Sequence, residues 1–201
     1  MASKKIKYFK TPIISGKYKG KTIEIPAIST TRSSKSILKE SLFNTIAFET
    51  VDANFVELFA GSGSIGLEAL SRGAKKSYFI EKNSTALRLL KDNVNNIDKE
   101  HSVILHGDTF ELFPTLYKTL LDDNSPTIFY LDPPFSIREG MDDIYEKCIN
   151  LMGKIKDPIV AMVIVEHMSD LKLPKEIASL KQTKERKFGK STLSYYTLES
   201  E

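Results

Sequence analysis

The sequence predicts an α/β protein built on a mostly parallel, Rossmann-like sheet with helices on both faces. From residue 54 onward, short apolar segments alternate with amphipathic segments of helix length, which is the pattern of repeated βαβ units. Residues 192–198 are rich in β-forming side chains, which predicts an antiparallel C-terminal hairpin that closes the sheet. A length of 201 residues fits one such domain with a small N-terminal extension.

The N-terminal extension is expected to form a small β-hairpin followed by one helix. Residues 12–15 and 21–25 have the composition of short strands, and Gly16 and Gly20 supply the permissive backbone of the turn between them. A serine at position 33 or 34 can cap the helix, which the apolar spacing extends to about Phe48. We therefore divide the chain into an N-terminal extension, residues 1–50, and a sheet domain, residues 51–201.

The sheet domain contains five predicted strands before the C-terminal hairpin, each followed or preceded by a helix. In a parallel sheet of this kind the carboxyl ends of the strands line the ligand crevice. Strands are predicted at residues 55–59, 77–80, 103–105, 127–131 and 159–165, and helices at residues 64–72, 83–96, 109–121 and 141–153.

Composition excludes several classes of protein. With 41% hydrophobic and 27% charged residues, the chain can bury a core, and no apolar run reaches the length of a transmembrane helix. The lysines near the N-terminus are not followed by the apolar stretch of a secretory signal. Cys148 is the only cysteine and the three histidines are scattered, so neither a disulfide framework nor a metal site is expected. We expect a cytoplasmic protein without a structural metal.

Positive charge is concentrated at the N-terminus. Residues 1–40 carry ten lysines or arginines against two glutamates, a net charge of +8, whereas the whole chain carries only +3. A basic end on an otherwise acidic body is typical of a nucleic-acid-binding segment, although a solubilising tail has the same composition. The predicted phosphate contacts are Lys17, Lys19, Lys21, Arg32 and Lys35, and a second basic cluster comprises Lys184, Arg186, Lys187 and Lys190.

A glycine-rich loop follows the first predicted strand of the sheet domain. Gly61, Gly63 and Gly66 satisfy the G-x-G-x-x-G spacing of a dinucleotide site, and Glu81 lies 20 residues after Gly61, where an acid can accept the ribose hydroxyls. Glu57, just before the loop, would repel a pyrophosphate but attract the cationic groups of S-adenosylmethionine (SAM). The charge pattern therefore favours SAM over NAD, while a purely structural glycine turn stays open.

Acidic residues stand at or near the ends of four predicted strands: Glu57, Glu81, Asp108 and Asp132. Because the carboxyl ends of parallel strands share one edge of a sheet, we expect these four carboxylates to surround one site. Asp108 then suits the adenine amino group, which is a hydrogen-bond donor. The alternative is that acids simply favour the start of a helix.

The segment Asp132-Pro133-Pro134-Phe135 follows the fourth predicted strand and suits an exocyclic amine of a nucleobase. The Asp132 carboxylate and the Pro133 carbonyl offer two acceptors, and two prolines fix the backbone and remove two N–H donors. Phe135 offers an apolar face on which a base can stack. Acceptors that grip the N–H groups make the nitrogen lone pair available to a methyl donor. Taken alone, Pro-Pro could equally end a strand as an ordinary turn.

The DPPF segment and the upstream run ELFAGSGSIGLEALSRGA (57–74) resemble the class I SAM-dependent amino-methyltransferases. IISGKYKGKTIEIP (13–26), TTRSSKSILKESLFN (30–44) and KFGKSTLSYY (187–196) resemble the bacterial 16S ribosomal RNA guanine-N2 methyltransferase family (RsmD-like). The resemblance spans nearly the whole chain. It implies a class I SAM-methyltransferase sheet and transfer of a methyl group from S-adenosyl-L-methionine to the N2 amine of one guanine in the small subunit.

The resemblance also implies the site residues. Asp132, Pro133, Pro134 and Phe135 match the catalytic motif, and the expected cofactor-binding set is Glu57, Phe59, Gly61, Gly63, Glu81, Lys82, Asp108 and Thr109. Three departures stand out: Glu57 replaces a common Asp, Ser33-Ser34 replaces Pro-Thr, and Phe135 replaces a common Tyr. They leave the chemistry intact and affect only the fine contacts to RNA.

Three rival functions share part of this pattern. An adenine-N6 DNA methyltransferase has the same cofactor and motif but usually needs a larger target-reading region than 201 residues allow. A non-catalytic ribosome assembly factor could retain the SAM fold, but the intact acidic set argues against it. An NAD-dependent oxidoreductase is disfavoured by Glu57. We expect a monomer that acts on 16S ribosomal RNA, with no membrane and no metal as partner.

Overall fold

The computed structural model describes residues 8–26, 32–134 and 143–199. The strands are β1 (Tyr8–Pro12), β2 (Thr22–Pro26), β3 (Asn54–Glu57), β4 (Lys76–Glu81), β5 (Ser102–His106), β6 (Thr127–Leu131), β7 (Val160–Met168), β8 (Glu176–Ile177), β9 (Leu180–Phe188) and β10 (Ser191–Leu198). The helices are α1 (Arg32–Thr45), α2 (Ser64–Ser71), α3 (Ser84–Ile97), α4 (Thr109–Asp123) and α5 (Ile144–Met152). Within these described residues, no helix is long and apolar enough to cross a membrane.

One sheet of eight strands organises the molecule, in the order β5-β4-β3-β6-β7-β10-β9-β8. The first five strands in this order are parallel, because each is reached through a helical crossover. Strands β10, β9 and β8 are antiparallel to their neighbours. The predicted α/β fold with an antiparallel C-terminal hairpin is therefore confirmed.

Apolar side chains bury both faces of the sheet. One core cluster joins the inner faces of α1, α2 and α3 to one side of the sheet, with Phe43, Leu67 and Leu90 among its members. The other cluster joins α4 and α5 to the opposite side, with Phe113 and Leu151 among its members. Helices cover both faces of the parallel strands, so these strands consist mostly of apolar residues. Strand β6, for example, is buried along its whole length.

The N-terminal hairpin, formed by β1 and β2, packs on the same core. A buried carboxylate holds it: Glu68 of α2 accepts hydrogen bonds from the backbone N–H groups of Ile14 (2.8 Å) and Ser15 (3.0 Å). The same carboxylate pairs with Lys39 of α1 (3.3 Å) and with Arg72 (2.9 Å). Burial lowers the pKa of Lys39, although the Glu68 charge opposes that shift.

A second polar side chain connects the hairpin to the glycine loop. Asn93 of α3 accepts from the backbone N–H of Glu24 (2.9 Å) and donates to its carbonyl (2.8 Å), much as a neighbouring strand would. Its amide also donates to the carbonyl of Ser62 (2.9 Å). Because Asn93 is buried, this arrangement fixes β2 and the glycine loop relative to each other.

The boundaries at the N-terminal end differ from the expected ones. The first strand runs over Tyr8–Pro12, earlier than residues 12–15, because Ile13 already forms the hydrogen bonds that lead into the turn, to Lys21 and Gly20. Helix α1 ends at Thr45 and does not reach Phe48. Phe48 is 92% exposed, so no packing extends the helix to that point.

Candidate active site

The four predicted acids lie along one edge of the sheet. Glu57 and Glu81 are the last residues of β3 and β4, Asp132 directly follows β6, and Asp108 comes two residues after β5. These four strands are adjacent and parallel, so their carboxyl ends meet at the same edge. The structure thus brings together the acids that the sequence predicts as one site.

The glycine loop needs its glycines for two different reasons. Gly61 (φ +54°) and Gly63 (φ +76°) both adopt left-handed backbone, which glycine favours. A Cβ at Gly63 would lie 2.5 Å from Cδ1 of Leu90, whereas a Cβ at Gly61 would meet no atom of the described residues within 4 Å. Gly63 therefore permits close packing of α2 on α3, and Gly61 leaves open space on the side where a ligand can approach.

Glu57 lies beneath the loop, buried to 4% exposure. Its Oε2 accepts a hydrogen bond from the backbone N–H of Gly66 (2.9 Å), one of the free amides in the first turn of α2. Burial raises the pKa of Glu57 to about 8, and the amide bond opposes this shift only in part. The sequence predicts Glu57 as a negative charge, whereas its burial favours the protonated form near neutral pH.

Glu81 is oriented by backbone amides at both of its oxygens. Its Oε2 accepts from the N–H of Gly61 (2.7 Å) and its Oε1 from the N–H of Asn83 (2.6 Å). Each carboxylate oxygen has further acceptor capacity, since an ionised carboxylate offers about four lone pairs. The Glu81 carboxylate is therefore fixed at the rim and can still accept two hydroxyl groups.

Asp108 caps helix α4 and pairs with Lys82. Its Oδ1 accepts from the N–H of Phe110 (2.9 Å) and its Oδ2 from the ammonium of Lys82 (2.9 Å). Burial favours a higher pKa for Asp108, but these hydrogen bonds outweigh burial and lower the pKa. The helix-capping alternative thus holds for Asp108, and capping leaves the residue on the same edge as the other acids.

Two predicted cofactor residues have structural contacts. The hydroxyl of Thr109 is buried and donates to the carbonyl of Leu58, which joins the end of β3 to the start of α4. The ring of Phe59 packs edge to face against Phe110, with centroids 6.0 Å apart. An open cleft of about 360 Å³ begins beside Asp108 and runs between α4 and α5.

The Asp-Pro-Pro turn leaves the sheet directly after β6. The Asp132 side chain is 31% exposed, Pro133 is buried and Pro134 is partly buried. A carboxylate and the carbonyl of a proline are thereby fixed beside the glycine loop, on adjacent strands. The predicted stacking residue Phe135 lies outside the described residues.

A buried glutamate and a lysine join Asp132 at this point. Glu166 of β7, 1% exposed, accepts from the hydroxyl of Tyr130 (2.7 Å) and pairs with the ammonium of Lys35 (3.3 Å). The same ammonium lies 3.4 Å from Oδ2 of Asp132. Loss of surrounding water and the charge of Glu166 raise the pKa of Asp132 to about 7, and Lys35 opposes this rise.

Sequence reasoning missed Glu166 and gave Lys35 a different role. A signal for Glu166 was available, since it directly follows the apolar run that the sequence predicts as a strand at residues 159–165. No local pattern connects Lys35 to Asp132, because the two residues lie 97 positions apart.

The predicted phosphate contacts are of two kinds. Lys17 pairs with the buried Asp98 (3.1 Å), and Lys35 pairs with the acids described above. Lys19 and Lys21 are exposed on the hairpin turn, with the Lys21 ammonium 4.8 Å from the centroid of the Tyr18 ring. The side chain of Arg32 lies outside the described part of the chain.

The second basic cluster lies on β9 and the turn after it. All four of its residues are exposed: Lys184, Arg186, Lys187 and Lys190. Arg186 donates to the hydroxyl of Ser41 in α1 (3.2 Å), which brings this cluster next to the N-terminal helix. This contact places Arg186 beside α1, the helix that follows the basic N-terminal segment in the chain.

The residues at the edge fit the chemistry of SAM. Glu81 presents acceptors for two ribose hydroxyls, Gly61 leaves room for close approach, and the buried Glu57 is an acid that a cationic ligand can stabilise in its charged form. Among the described residues, no three His, Cys, Asp or Glu side chains cluster as metal ligands.

Comparison with known proteins agrees with this geometry. A family model described as conserved hypothetical protein 95 matches residues 11–197. Ribosomal RNA small subunit methyltransferase D of Escherichia coli (strain K12) is 29% identical over 193 residues, which cover 94% of this chain and 90% of that protein. The solved structure of the Escherichia coli protein yhhF superposes with a TM-score of 0.74 at 26% identity, covering 96% of this chain and 100% of that one.

A more distant structure extends the comparison to the fold. SMU.776 complexed with SAH (S-adenosylhomocysteine) has a TM-score of 0.66 at 10% identity, and the match covers 98% of this chain and 57% of that one. The eight-stranded sheet of this chain is thus an architecture found in a protein that binds the demethylated product of SAM.

Proposed function

The chain belongs to the family described as conserved hypothetical protein 95, and on this basis we propose that it methylates ribosomal RNA of the small subunit, using SAM as methyl donor. Ribosomal RNA methylation is the activity in the name of its Escherichia coli relative. We further propose that the acceptor is the N2 amine of one guanine in 16S ribosomal RNA. Such a substrate implies that the enzyme acts in the cytoplasm, and we propose that it does so as a monomer.

The Asp132-Pro133 turn is the observation that carries this proposal. The turn places a carboxylate and a backbone carbonyl at the same rim, next to the glycine loop. An amine with two N–H donors suits such a pair of acceptors, whereas a carbonyl oxygen of a base would be repelled by them. The assignment of guanine N2 as the acceptor, in preference to another exocyclic amine, rests on the sequence resemblance to the guanine-N2 methyltransferase family.

The protein's own residues would prepare the amine for attack. Asp132 and the Pro133 carbonyl accept its two N–H bonds, which turns the nitrogen lone pair toward the methyl donor. Most of the rate enhancement then comes from alignment of the reacting atoms. A base buried in duplex or folded RNA must first leave its stack to reach this rim.

SAM, when bound, supplies an electrophilic methyl group and leaves as the neutral thioether SAH. As the new N–C bond forms, the amine nitrogen becomes positively charged and must lose a proton. Asp132 can take that proton directly or through water, since its pKa is raised to about 7. The cofactor itself would be held by Glu81, through the ribose hydroxyls, and by Asp108, near the adenine amino group.

RNA binding is proposed for the N-terminal residues 1–50 together with the basic cluster of β9. Lys19 and Lys21 are exposed on the hairpin turn, and the exposed β9 cluster lies next to α1. Neutralising Lys19 and Lys21 together should weaken RNA binding and flatten its dependence on salt, because each phosphate contact releases counterions. Unchanged affinity and an unchanged salt slope would remove these lysines from the interface.

The function is tested by methyl transfer from labelled SAM to unmethylated small subunits, naked 16S ribosomal RNA and duplex DNA in parallel. We expect label in ribosomal RNA, mapped to guanine N2 and absent with Asp132→Asn. The exposed Asp122 offers a matched control, since Asp122→Asn makes the same change away from the site.

The other outcomes each identify a rival function. Label in DNA adenine would show an adenine-N6 methyltransferase. Measurable binding of SAM with no label in any substrate would favour a non-catalytic assembly factor. Binding of NAD in place of SAM, which a thermal-shift comparison detects, would overturn the cofactor assignment.

A further inference from the structure

Three charged side chains from three separate elements meet beside the Asp-Pro-Pro turn. Asp132 follows β6, Glu166 belongs to the neighbouring strand β7, and Lys35 belongs to the first turns of α1. In the parallel pairing of β6 with β7, Leu131 lies opposite Val165, so the two acids leave adjacent strands side by side. Lys35 reaches both of them with one ammonium, at 3.4 Å and 3.3 Å.

Asp132 has a second carboxylate, that of Glu166, as a neighbour on the adjacent strand. Loss of surrounding water and the charge of Glu166 raise the pKa of Asp132, which favours its neutral form. A neutral Asp132 carboxyl would present an O–H donor to an amine that needs acceptors, and it could not take up a proton. Activity therefore requires a compensating positive charge, and Lys35 is the cation that contacts both acids.

The position of Glu166 shows how the ammonium is held. Glu166 is 1% exposed and one of its oxygens accepts from the Tyr130 hydroxyl, so its other oxygen faces Lys35 in a fixed direction. A lysine side chain that is half exposed would otherwise move freely. Glu166 thus anchors the ammonium at a point where it also meets Oδ2 of Asp132.

We propose that Lys35 is a positioning residue, which keeps the Asp132 carboxylate ionised and occupies its Oδ2 so that Oδ1 is presented to the amine of the target base. This proposal rests on the proposed function, because it assumes that Asp132 receives that amine. Lys35 acts through Asp132 and needs no contact with the base or with a phosphate.

The other groups around Asp132 make this compensation necessary. Glu166 on β7 adds negative charge beside Asp132, whereas burial favours the neutral form of Glu57 at the end of β3. Tyr130 on β6 and Tyr145 on α5 carry titratable hydroxyls whose pKa values respond to the charges of Asp132 and Glu166. The pKa values of both tyrosines are raised, first by burial and also by the surrounding acids, so neither hydroxyl ionises near neutral pH. The Lys35 ammonium, 3.4 Å from Oδ2, opposes this negative charge and lowers the pKa of Asp132.

The test compares pH profiles of kcat for the wild type, Lys35→Met and Lys35→Arg on the RNA that the wild type methylates. Loss of the ammonium should move the acidic limb of the profile to higher pH by about one pH unit, since a nearby opposite charge lowers a carboxyl pKa by that order. Lys35→Arg keeps the positive charge, so it should return the acidic limb of the kcat profile to its wild-type position. Lys118→Met removes an exposed lysine of α4 and serves as the control. Lys35→Gln provides a second neutral variant in case Met repacks.

A role in phosphate binding gives the opposite result. In that case Lys35→Met would raise the KM for RNA and reduce the salt dependence, while the acidic limb of kcat would stay in place. An unmoved acidic limb in both neutral variants would overturn the proposal.

A second readout does not depend on activity. With ¹³C-labelled aspartate, the Asp132 carboxyl resonance can be assigned by its absence in Asp132→Asn and titrated in the RNA-free protein. We expect its pKa to rise by about one unit in Lys35→Met and to return in Lys35→Arg. If the pKa rises but the wild type methylates no RNA, the proposed function fails and the electrostatic role of Lys35 stands. If the pKa does not rise, the role of Lys35 fails, whatever the enzyme methylates.

Discussion

The two halves of the carboxyl edge are built in different ways. On the half proposed for the cofactor, Glu81 and Asp108 are satisfied by backbone amides two residues further along the chain, and by partners 20 and 26 residues away. On the half proposed for the base, Asp132 and Glu166 depend on Lys35, which lies 97 and 131 residues from them. The first half is fixed by local turns and the second only by the complete fold.

The two halves of the edge also differ in the direction in which the pKa values of their carboxyl groups are shifted. Hydrogen bonds lower the pKa of Asp108, whereas burial and the crowding of acids raise the pKa of Asp132. A carboxylate that only needs to accept hydroxyl or amino hydrogens gains from a low pKa. A carboxylate that must also take a proton gains from a pKa near neutrality. The edge therefore separates a binding function from a chemical one, and substitutions of Asp132 and of Glu81 should affect kcat and SAM affinity differently.

The largest effect is expected from Asp132→Asn. The amide keeps the shape of the side chain but turns one acceptor into a donor and cannot take a proton, so kcat should fall by about 10²- to 10⁴-fold. The Kd for SAM should stay within about twofold of the wild-type value, because Asp132 belongs to the half proposed for the base. Single-turnover kinetics and isothermal calorimetry measure the two quantities. A loss of SAM affinity comparable to the loss of kcat would contradict the division of the edge into a cofactor half and a base half.

An intermediate effect is expected from Glu81→Gln. The amide can still accept from one backbone N–H, but it presents a donor where a ribose hydroxyl needs an acceptor. Loss of charge-assisted hydrogen bonds should weaken SAM binding by about 10- to 100-fold, corresponding to about 1.5–3 kcal/mol. At saturating SAM, kcat should change little. Calorimetry with SAM alone checks the affinity, with the exposed Glu100→Gln as control. Equal SAM affinities of the wild type and Glu81→Gln would exclude Glu81 as a cofactor contact.

The smallest effect is expected from Glu57→Gln, and it concerns stability. The pKa of Glu57 is raised by burial to about 8 from an ordinary value of 4.5, so the folded state holds a proton that the unfolded state releases. The ligand-free wild type therefore loses stability as pH rises from about 4.5 toward 8. Gln cannot ionise and can keep the Gly66 bond.

The measurement for this variant is thermal unfolding of the ligand-free protein at pH 5 and pH 8.5. At pH 8.5 the variant should melt higher than the wild type by several degrees, since 1 kcal/mol corresponds to about 2–4 °C for a chain of this size. At pH 5 the two melting temperatures should coincide. A variant that melts lower at both pH values would show that Glu57 is ionised in the folded protein.

Local sequence carried enough information for one half of the site. The glycine loop, Glu81 and Asp108 follow strands at fixed short distances, and parallel strands bring their ends together whatever the rest of the chain does. The fold was predictable for the same reason, since alternating strands and helices leave few arrangements open. Glu166 was missed although it follows the predicted strand at residues 159–165, and the structure extends that strand past it, to Met168.

Lys35 could not be placed from sequence in the same way. A lysine among other lysines suggests an exposed phosphate contact, and only the packing of α1 against the sheet shows that its charge meets two acids. The start of the first strand and the end of α1 were also set by packing and hairpin hydrogen bonds. Local propensity does not encode either of them.

The buried carboxylate of Glu68 has a consequence for protein engineering. Its four partners come from the hairpin, from α1 and from its own helix, so a chain that began at residue 51 would retain only Arg72 among them. Such a truncation would leave a carboxylate partly unsatisfied on a newly exposed apolar surface. Chimaeras between relatives should accordingly take the hairpin, α1 and α2 from the same parent. The N-terminal fifty residues are then exchanged together with the helix that carries their anchor.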